Sequence, residues 1–177
     1  MVPCSCGWSR DGPMGRPVAD PATRLAGPQP GHPGPTSASI PVALVQELID
    51  HARSGYPNEA CGLVIGDRPA AEGGHPLRFE RTPNAAASPY RYEIEPDELY
   101  RLTVATDDAD EAFWAIVHSH THTPAAPSPT DVGLAFYPDA LYVLVSLSED
   151  EADPGTGAPS LRAWRILDGE VTEVPLT

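Results

Sequence analysis

Residues 113–120 are Phe113-Trp-Ala-Ile-Val-His-Ser-His120, and the first five of them are all apolar. A strand in the middle of a sheet is covered on both faces, and its sequence shows such a continuous apolar run. We therefore predict a central strand here, in a sheet that carries helices on its faces.

The regions on either side of this strand predict a mixed α/β domain. Three helices are expected, beginning at Pro41, Pro96 and Ser128-Pro129, and the first should end near Gly55. Helical spacing predicts that one face of the first helix points toward the core, with the side chains of Val42, Leu44, Val45, Leu48, Ile49 and Ala52. Apolar or alternating runs predict further strands at 61–66, 77–82, 90–94, 141–146 and 161–167, and Asp168-Gly169 predicts a hairpin turn into 171–174.

Residues 1–37 differ in composition from the rest of the chain. They hold many of the 22 prolines and almost no periodic apolar pattern, so they cannot bury enough apolar surface to offset the entropy of ordering. We expect a flexible Pro/Gly-rich extension over 1–37 and a single domain over 38–177. Cys4 and Cys6 of the extension are interpreted as incidental rather than as a metal site.

Charge and composition exclude several classes of function. The formal net charge of −14 repels phosphate backbones, so we expect no nucleic-acid partner. No apolar run approaches the ~18 residues that span a bilayer, and the three cysteines show no disulfide framework. A cytoplasmic protein without membrane contact is the expectation.

Two histidines end the predicted central strand. His118 and His120 are two residues apart, so their side chains lie on the same face and can converge on one ion. Asp131 falls in the first turn of the next predicted helix and can complete the group. Two histidines and one carboxylate leave a tetrahedral Zn²⁺ one open position for water, the arrangement of a catalytic site.

Three further residues are candidates for this site. Glu59 precedes the buried strand at 61–66, where its carboxylate could act as the base for the bound water, although it could also be an ordinary exposed acid. Ser128 offers a hydroxyl for a developing oxyanion, or only a helix N-cap. His122 continues the spacing of the histidine pair, and we expect it near the mouth of the site, with a three-histidine site as the less favoured alternative.

This set of residues resembles the signature of the JAMM (MPN+) metalloproteases, which combines a glutamate before a Cys-Gly strand, His-Ser-His at a strand end, and Ser-x-x-Asp. The resemblance extends over residues 40–175, with matching stretches at 58–62, 84–92, 137–146 and 165–173. It implies His118, His120 and Asp131 as zinc ligands, Glu59 as general base and Ser128 as oxyanion stabiliser. It also implies an α/β (α+β), JAMM/MPN-like (cytidine-deaminase-like) single domain, a mixed β-sheet flanked by helices.

Three functions are consistent with the resemblance. The small members that this sequence most resembles release cysteine from the C-terminal glycine of a ubiquitin-like sulfur-carrier protein, which makes a Gly-Gly-ending carrier the expected partner. An isopeptidase that removes a ubiquitin-like modifier from lysine side chains would use the same chemistry. A non-catalytic interaction scaffold ranks below both, because every position of the metal motif is filled.

Overall fold

A computed structural model describes residues 34–177, which form one mixed sheet with helices on its two faces. The three α-helices are α1 (Val42–Gly55), α2 (Pro96–Asp108) and α3 (Pro129–Gly133). The six strands are β1 (Cys61–Gly66), β2 (Pro76–Thr82), β3 (Ala112–His120), β4 (Leu141–Ser146), β5 (Ser160–Leu167) and β6 (Glu170–Val174). Short 3-10 turns lie at Ala70–Glu72 and Glu149–Glu151.

The strand β3 occupies the centre of the sheet, as its apolar sequence predicts. The strand order is β2-β1-β3-β4-β5-β6, with β3 antiparallel to β1 and parallel to β4. His118 is level with Cys61 of β1 and with Leu144 of β4. Hydrogen bonds on both edges therefore hold the end of β3 in register.

The two faces of the sheet bury two separate apolar clusters. Leu48 and Ala52 of α1 pack on Val117 and Val143 on one face, while Leu102 of α2 belongs to the cluster on the other. That second cluster includes Leu63, Ile116, Tyr142 and Leu144. Because side chains alternate along a strand, His118 and His120 continue the row of Ile116 on the α2 face.

Most of the predicted elements are present within a residue or two of their expected ends. The hairpin between β5 and β6 turns at Asp168 and Gly169, whose φ values of 52° and 82° are those of a type I′ turn. Residues 1–33 lie outside the described part of the chain, so the flexible extension over 1–37, its two cysteines and the domain boundary at 38 stay predictions.

Two sequence predictions are wrong. Residues 90–94 form no strand of the sheet: their only backbone pairing is a single bridge between Ile94 and Asn84. The alternating pattern there arises because the segment runs over the α2 face, where Tyr92 and Ile94 pack on the second cluster.

The second wrong prediction is the inward direction of Val42. This residue is 85% exposed, because it is the first residue of α1 and precedes the part of the helix that contacts the sheet.

Among residues 34–177, no helix has both the length and the apolar character needed to span a bilayer.

The packing of α1 on the sheet predicts the effect of one substitution. Leu48 is fully buried between α1 and the sheet, so Leu48→Ala should lower the free energy of unfolding by about 2–5 kcal/mol. The matched control is Val42→Ala on the same helix, whose exposed side chain should change that free energy by less than about 0.5 kcal/mol. Urea denaturation followed by circular dichroism measures both, and equal effects of the two variants would contradict this packing.

Candidate metal centre

Two buried imidazoles face each other at the end of β3. The residues His118 and His120 are 1% and 5% exposed, and their Nε2 atoms are 3.2 Å apart. The Nδ1 atom of His120 lies 2.7 Å from the carbonyl oxygen of Pro124. That contact places the ring proton on Nδ1 and leaves the Nε2 lone pair directed at the other histidine.

The carboxylate of Asp131 completes a group of three. Its Oδ1 lies 3.5 Å from Nε2 of His118, and its Oδ2 lies 3.5 Å from Nε2 of His120. Burial alone would raise the pKa of Asp131, but the interactions with the two histidines outweigh burial and hold that pKa well below its usual range. The carboxylate is therefore ionised and faces both rings.

A capping box at the start of α3 fixes the direction of this carboxylate. The backbone N–H of Ser128 donates to Oδ2 of Asp131 at 2.7 Å, and the hydroxyl of Ser128 accepts from the N–H of Asp131 at 3.3 Å. The predicted helix start, with Ser128 as N-cap and Pro129 at the first position, is confirmed. Since the hydroxyl is used as an acceptor, its proton stays available to another group.

The three side chains fit a divalent cation such as Zn²⁺. One ligand atom from each of His118, His120 and Asp131 can be chosen so that all lie within 4.8 Å of one another. Two ligands of a tetrahedral Zn²⁺ at bond lengths of about 2.0–2.1 Å are about 3.3 Å apart, close to the 3.2 Å between the Nε2 atoms. Burial lowers the pKa of His118, which favours the neutral form that binds metals. This group could therefore hold a metal ion.

The structure brings Glu59 to the same place from a distant part of the sequence. Glu59 lies two residues before β1 and is 6% exposed, so it is not an ordinary surface acid. Burial raises its pKa to about 7, the positive character of His120 opposes this, and the charge of Asp131 adds to it. The Glu59 carboxyl is therefore near enough to interact electrostatically with His120 and Asp131.

Ser119, between the two histidines, connects them to the segment that carries Glu59. Its side chain points away from those of His118 and His120, and its Oγ accepts from the N–H of Ala60 at 2.8 Å. The N–H of Ser119 donates to the carbonyl oxygen of Ala60 at 2.9 Å. The residue after Glu59 is thereby held against the residue between the two histidines. This serine was not among the predicted site residues, although a buried hydroxyl must find a partner.

Two other residues, the candidate His122 and the buried Cys61, lie outside the group. His122 is exposed, follows the end of β3, and contacts the ring of Tyr56 edge-on at 6.3 Å between centroids. Cys61, far away in sequence, is level with His118 across the β1–β3 ladder. Its thiol lies 3.3 Å from the hydroxyl of Thr82, and burial raises its pKa, so it stays a protonated thiol.

Asn84 and Tyr92 also lie around the group, and neither was among the predicted site residues. The Asn84 side chain donates to the carbonyl oxygens of Glu59 (2.8 Å) and Arg91 (3.2 Å), and its Oδ1 accepts from the N–H of Glu93 at 3.0 Å. The ring of Tyr92 stacks on that of His118, with 4.2 Å between centroids and 20° between planes. The sequence did carry a signal for both residues, because the family resemblance includes 84–92, but a matching stretch does not show which atoms its side chains contact.

Most of the chain matches one known protein family. Residues 41–167 match the family described as prokaryotic homologs of the JAB domain. The match includes every residue of the candidate site and confirms the family resemblance that the sequence motif indicates.

Named relatives are peptidases and proteases. The chain is 43% identical over 133 residues to the CysO-cysteine peptidase of Mycobacterium tuberculosis, covering 75% of this chain and 85% of the relative. It is 32% identical over 106 residues to the desampylase of Haloferax volcanii, covering 56% of this chain and 73% of the relative.

Solved structures share the fold. The solution structure of a protein from Desulfitobacterium hafniense superposes with a TM-score of 0.60 at 30% identity, covering 79% of this chain and 91% of the other. A second solution structure, of a protein from Salinibacter ruber, gives a TM-score of 0.55 at 26% identity over 79% of this chain and 91% of the other. From the family match, the named relatives and the shared fold, we conclude that the chain belongs to the prokaryotic homologues of the JAB domain and is a peptidase of that family.

Proposed function

We propose that the chain is a zinc-dependent peptidase that hydrolyses the amide bond after the C-terminal glycine of a ubiquitin-like sulfur-carrier protein and releases cysteine. The observation that carries this proposal is the convergence of His118, His120 and Asp131, with the carboxyl of Glu59 beside them. The 43% identity to a CysO-cysteine peptidase supports the substrate class.

In this proposal His118, His120 and Asp131 are the metal ligands. Two nitrogens and one carboxylate oxygen suit Zn²⁺ and leave one coordination position open for water. When bound, Zn²⁺ acts as a Lewis acid that polarises the scissile carbonyl and lowers the pKa of water. The capping box aims Asp131, and the Pro124 carbonyl orients His120, so both side chains are held before the metal binds.

Glu59 serves as the general base and then as the general acid. Its carboxylate takes a proton from the attacking water, and the resulting carboxylic acid returns that proton to the leaving amine as the C–N bond breaks. Burial raises the pKa of Glu59 to about 7, which suits a group that must both accept and release a proton near neutral pH.

Ser128 is proposed to stabilise the oxyanion of the tetrahedral intermediate. Its hydroxyl oxygen accepts the cap bond from the N–H of Asp131, which leaves its proton free to donate to the substrate oxygen. The hydroxyl lies three residues from a metal ligand in a rigid first turn. This position allows it to act beside the metal.

An open backbone edge beside the site suits an extended carrier tail. Glu93 and Glu95 direct their backbone groups toward residues 83–85, so those of Tyr92 and Ile94 point to the opposite side. Among the described residues, neither the N–H nor the C=O of Tyr92 and Ile94 has a hydrogen-bond partner. A peptide could add here as a strand, which recognises backbone and tolerates varied side chains.

An apolar groove lies along this open edge. It has a volume of about 430 Å³ and is lined in part by Ile94 and Leu99 and by the exposed side chains of Leu134 and Phe136. Tyr92 and Thr130, which lie beside His118 and Asp131, form the end of the groove nearest the site. The groove could therefore guide the tail of a carrier toward the proposed ligands.

Removal of a ubiquitin-like modifier from lysine is the second candidate function. It is favoured by the match to the desampylase and by 32% identity over 94 residues to a probable TtuB-protein conjugate cleaving protease of Thermus thermophilus, covering 52% of this chain and 60% of that relative. The hydrolytic step is the same for both candidates, so the leaving amine distinguishes them. Membership of a peptidase family counts against the scaffold interpretation.

The proposed base and ligand predict two different kinds of inactive variant. Glu59→Gln should lower kcat by about 100- to 10,000-fold while one zinc per chain is still bound, because only the proton acceptor is lost. Asp131→Asn should lose both zinc and activity, because the amide replaces the anionic ligand. Elemental analysis and cleavage of a carrier–cysteine conjugate measure these effects, with Glu72→Gln and Asp108→Asn as exposed controls. Full activity of either site variant would exclude the mechanism, and a wild-type protein that binds no zinc even after loading would exclude the metal.

Ser128→Ala should lower kcat strongly while lowering the free energy of unfolding only modestly. The N-cap accounts for about 0.5–2 kcal/mol of stability, whereas one oxyanion donor is worth about 100- to 1,000-fold in kcat. Thermal unfolding and steady-state kinetics on the same preparation separate the two quantities, and Thr172→Ala, at an exposed position of β6, is the control. If kcat of Ser128→Ala at a temperature where it is folded equals that of the wild type, the serine is only a cap.

The identity of the leaving amine is tested with two conjugates of one carrier. A Gly-Gly-ending ubiquitin-like carrier is prepared with cysteine at its C-terminus, and separately with its C-terminal glycine joined to the Nε atom of a lysyl peptide. The proposal predicts that kcat/KM is at least about tenfold higher for the cysteine conjugate, a difference of about 1.4 kcal/mol in transition-state binding. A preference for the lysyl conjugate would establish the isopeptidase function instead. The enzyme contains 11 arginines and no lysine, so every lysyl conjugate in the assay comes from the added substrate.

A further inference from the structure

The two histidines of the site are held in different ways. The Nδ1 atom of His120 has the Pro124 carbonyl as its partner at 2.7 Å. The Nδ1 atom of His118 is buried and has no hydrogen-bond partner among the described residues. Metal-binding histidines usually donate this second N–H to an acceptor, which fixes the ring. His118 therefore needs another contact to fix the orientation of its ring.

Tyr92 makes a contact of the required kind. Its ring lies nearly parallel to that of His118, with 4.2 Å between centroids and 20° between planes. A ring stacked this closely blocks rotation of the imidazole toward that side, because its face is already in van der Waals contact. On the strand itself, the β1 and β4 ladders fix the backbone of His118 but leave its side-chain torsions free.

Asn84 holds Tyr92 in place through the neighbouring backbone. Its amide donates to the carbonyl oxygen of Arg91 at 3.2 Å, and its Oδ1 accepts from the N–H of Glu93 at 3.0 Å. The same amide donates to the carbonyl oxygen of Glu59 at 2.8 Å. One side chain thus fixes the residues on both sides of Tyr92 and ties them to the segment of the proposed base.

We propose that Tyr92 is a positioning residue for the metal site, whose ring holds the imidazole of His118 in its ligating orientation by stacking in place of a hydrogen bond to Nδ1. This inference rests on the proposed function, because it takes His118 as a metal ligand. The stacking depends on the aromatic ring and not on the hydroxyl. Phenylalanine at position 92 therefore keeps the wild-type metal affinity, whereas an aliphatic side chain of similar size does not.

The test measures metal affinity and ligand geometry without reference to activity. Wild-type protein, Tyr92→Phe, Tyr92→Leu and Tyr92→Met are titrated with Zn²⁺ against a chromophoric chelator, and their Co²⁺ forms are compared by visible absorption. Loss of a contact that orients a ligand typically weakens metal binding by about 10- to 100-fold. We expect that loss and a changed Co²⁺ spectrum for the leucine and methionine variants, and wild-type values for Tyr92→Phe.

Tyr90→Leu is the matched control, because Tyr90 lies two residues away in the same segment and is 82% exposed. It should leave the Zn²⁺ affinity and the Co²⁺ spectrum unchanged. Thermal unfolding of the metal-free proteins shows which variants are folded, and the methionine variant decides the question if the leucine variant is not.

The outcomes separate this inference from the proposed function. If the wild-type protein binds neither Zn²⁺ nor Co²⁺, the metal site itself is excluded. If the wild type binds both metals and a folded leucine or methionine variant binds them equally well with an unchanged spectrum, only the role of Tyr92 is overturned. Weakened binding in Tyr92→Phe would assign the effect to the hydroxyl and would also overturn the stacking role.

Discussion

The contact between Ser119 and Ala60 is the interaction on which the arrangement of the site depends. Two hydrogen bonds join these residues, one from the N–H of Ser119 to the Ala60 carbonyl and one from the N–H of Ala60 to the Ser119 hydroxyl. Because neighbouring side chains alternate along a strand, Ser119 can bond to the β1 side while both adjacent histidines face α2. The proposed base is next to Ala60, so this contact fixes its position relative to both imidazoles.

Short, stiff connections bring Asp131, the third proposed ligand, to the histidines. The chain leaves β3 at His120 and returns within eight residues to the N-cap of α3, and the Pro124 carbonyl within this turn contacts the His120 ring. In the capping box, one oxygen of the Asp131 carboxylate accepts a hydrogen bond from the N–H of Ser128. A helix of five residues is too short to be stable alone, so packing and capping hold it in place.

The loop between β2 and α2 forms the remaining wall of the site. Ser88 accepts from the N–H of Glu59, and Pro89 accepts from the hydroxyl of Thr121, so this loop joins the start of β1 to the end of β3. Asn84 adds its bonds to Glu59 and to the residues around Tyr92. One irregular segment therefore places the aromatic ring behind His118, supports the proposed base and presents the open backbone edge.

Local sequence patterns specify the elements and the residue types of the site. Continuous apolar residues predict the central strand, proline and serine predict the helix starts, and histidines at i and i+2 predict one shared face; the structure shows all three. These features are local, and the chemistry of a few neighbouring residues decides them. Contacts between distant residues depend instead on the tertiary fold: Asn84 with Glu59, Ser119 with Ala60, and Tyr92 with His118. The alternation at 90–94 misled the prediction because a segment packed over a sheet face buries every second residue just as a strand does, and only its hydrogen-bond partners distinguish the two.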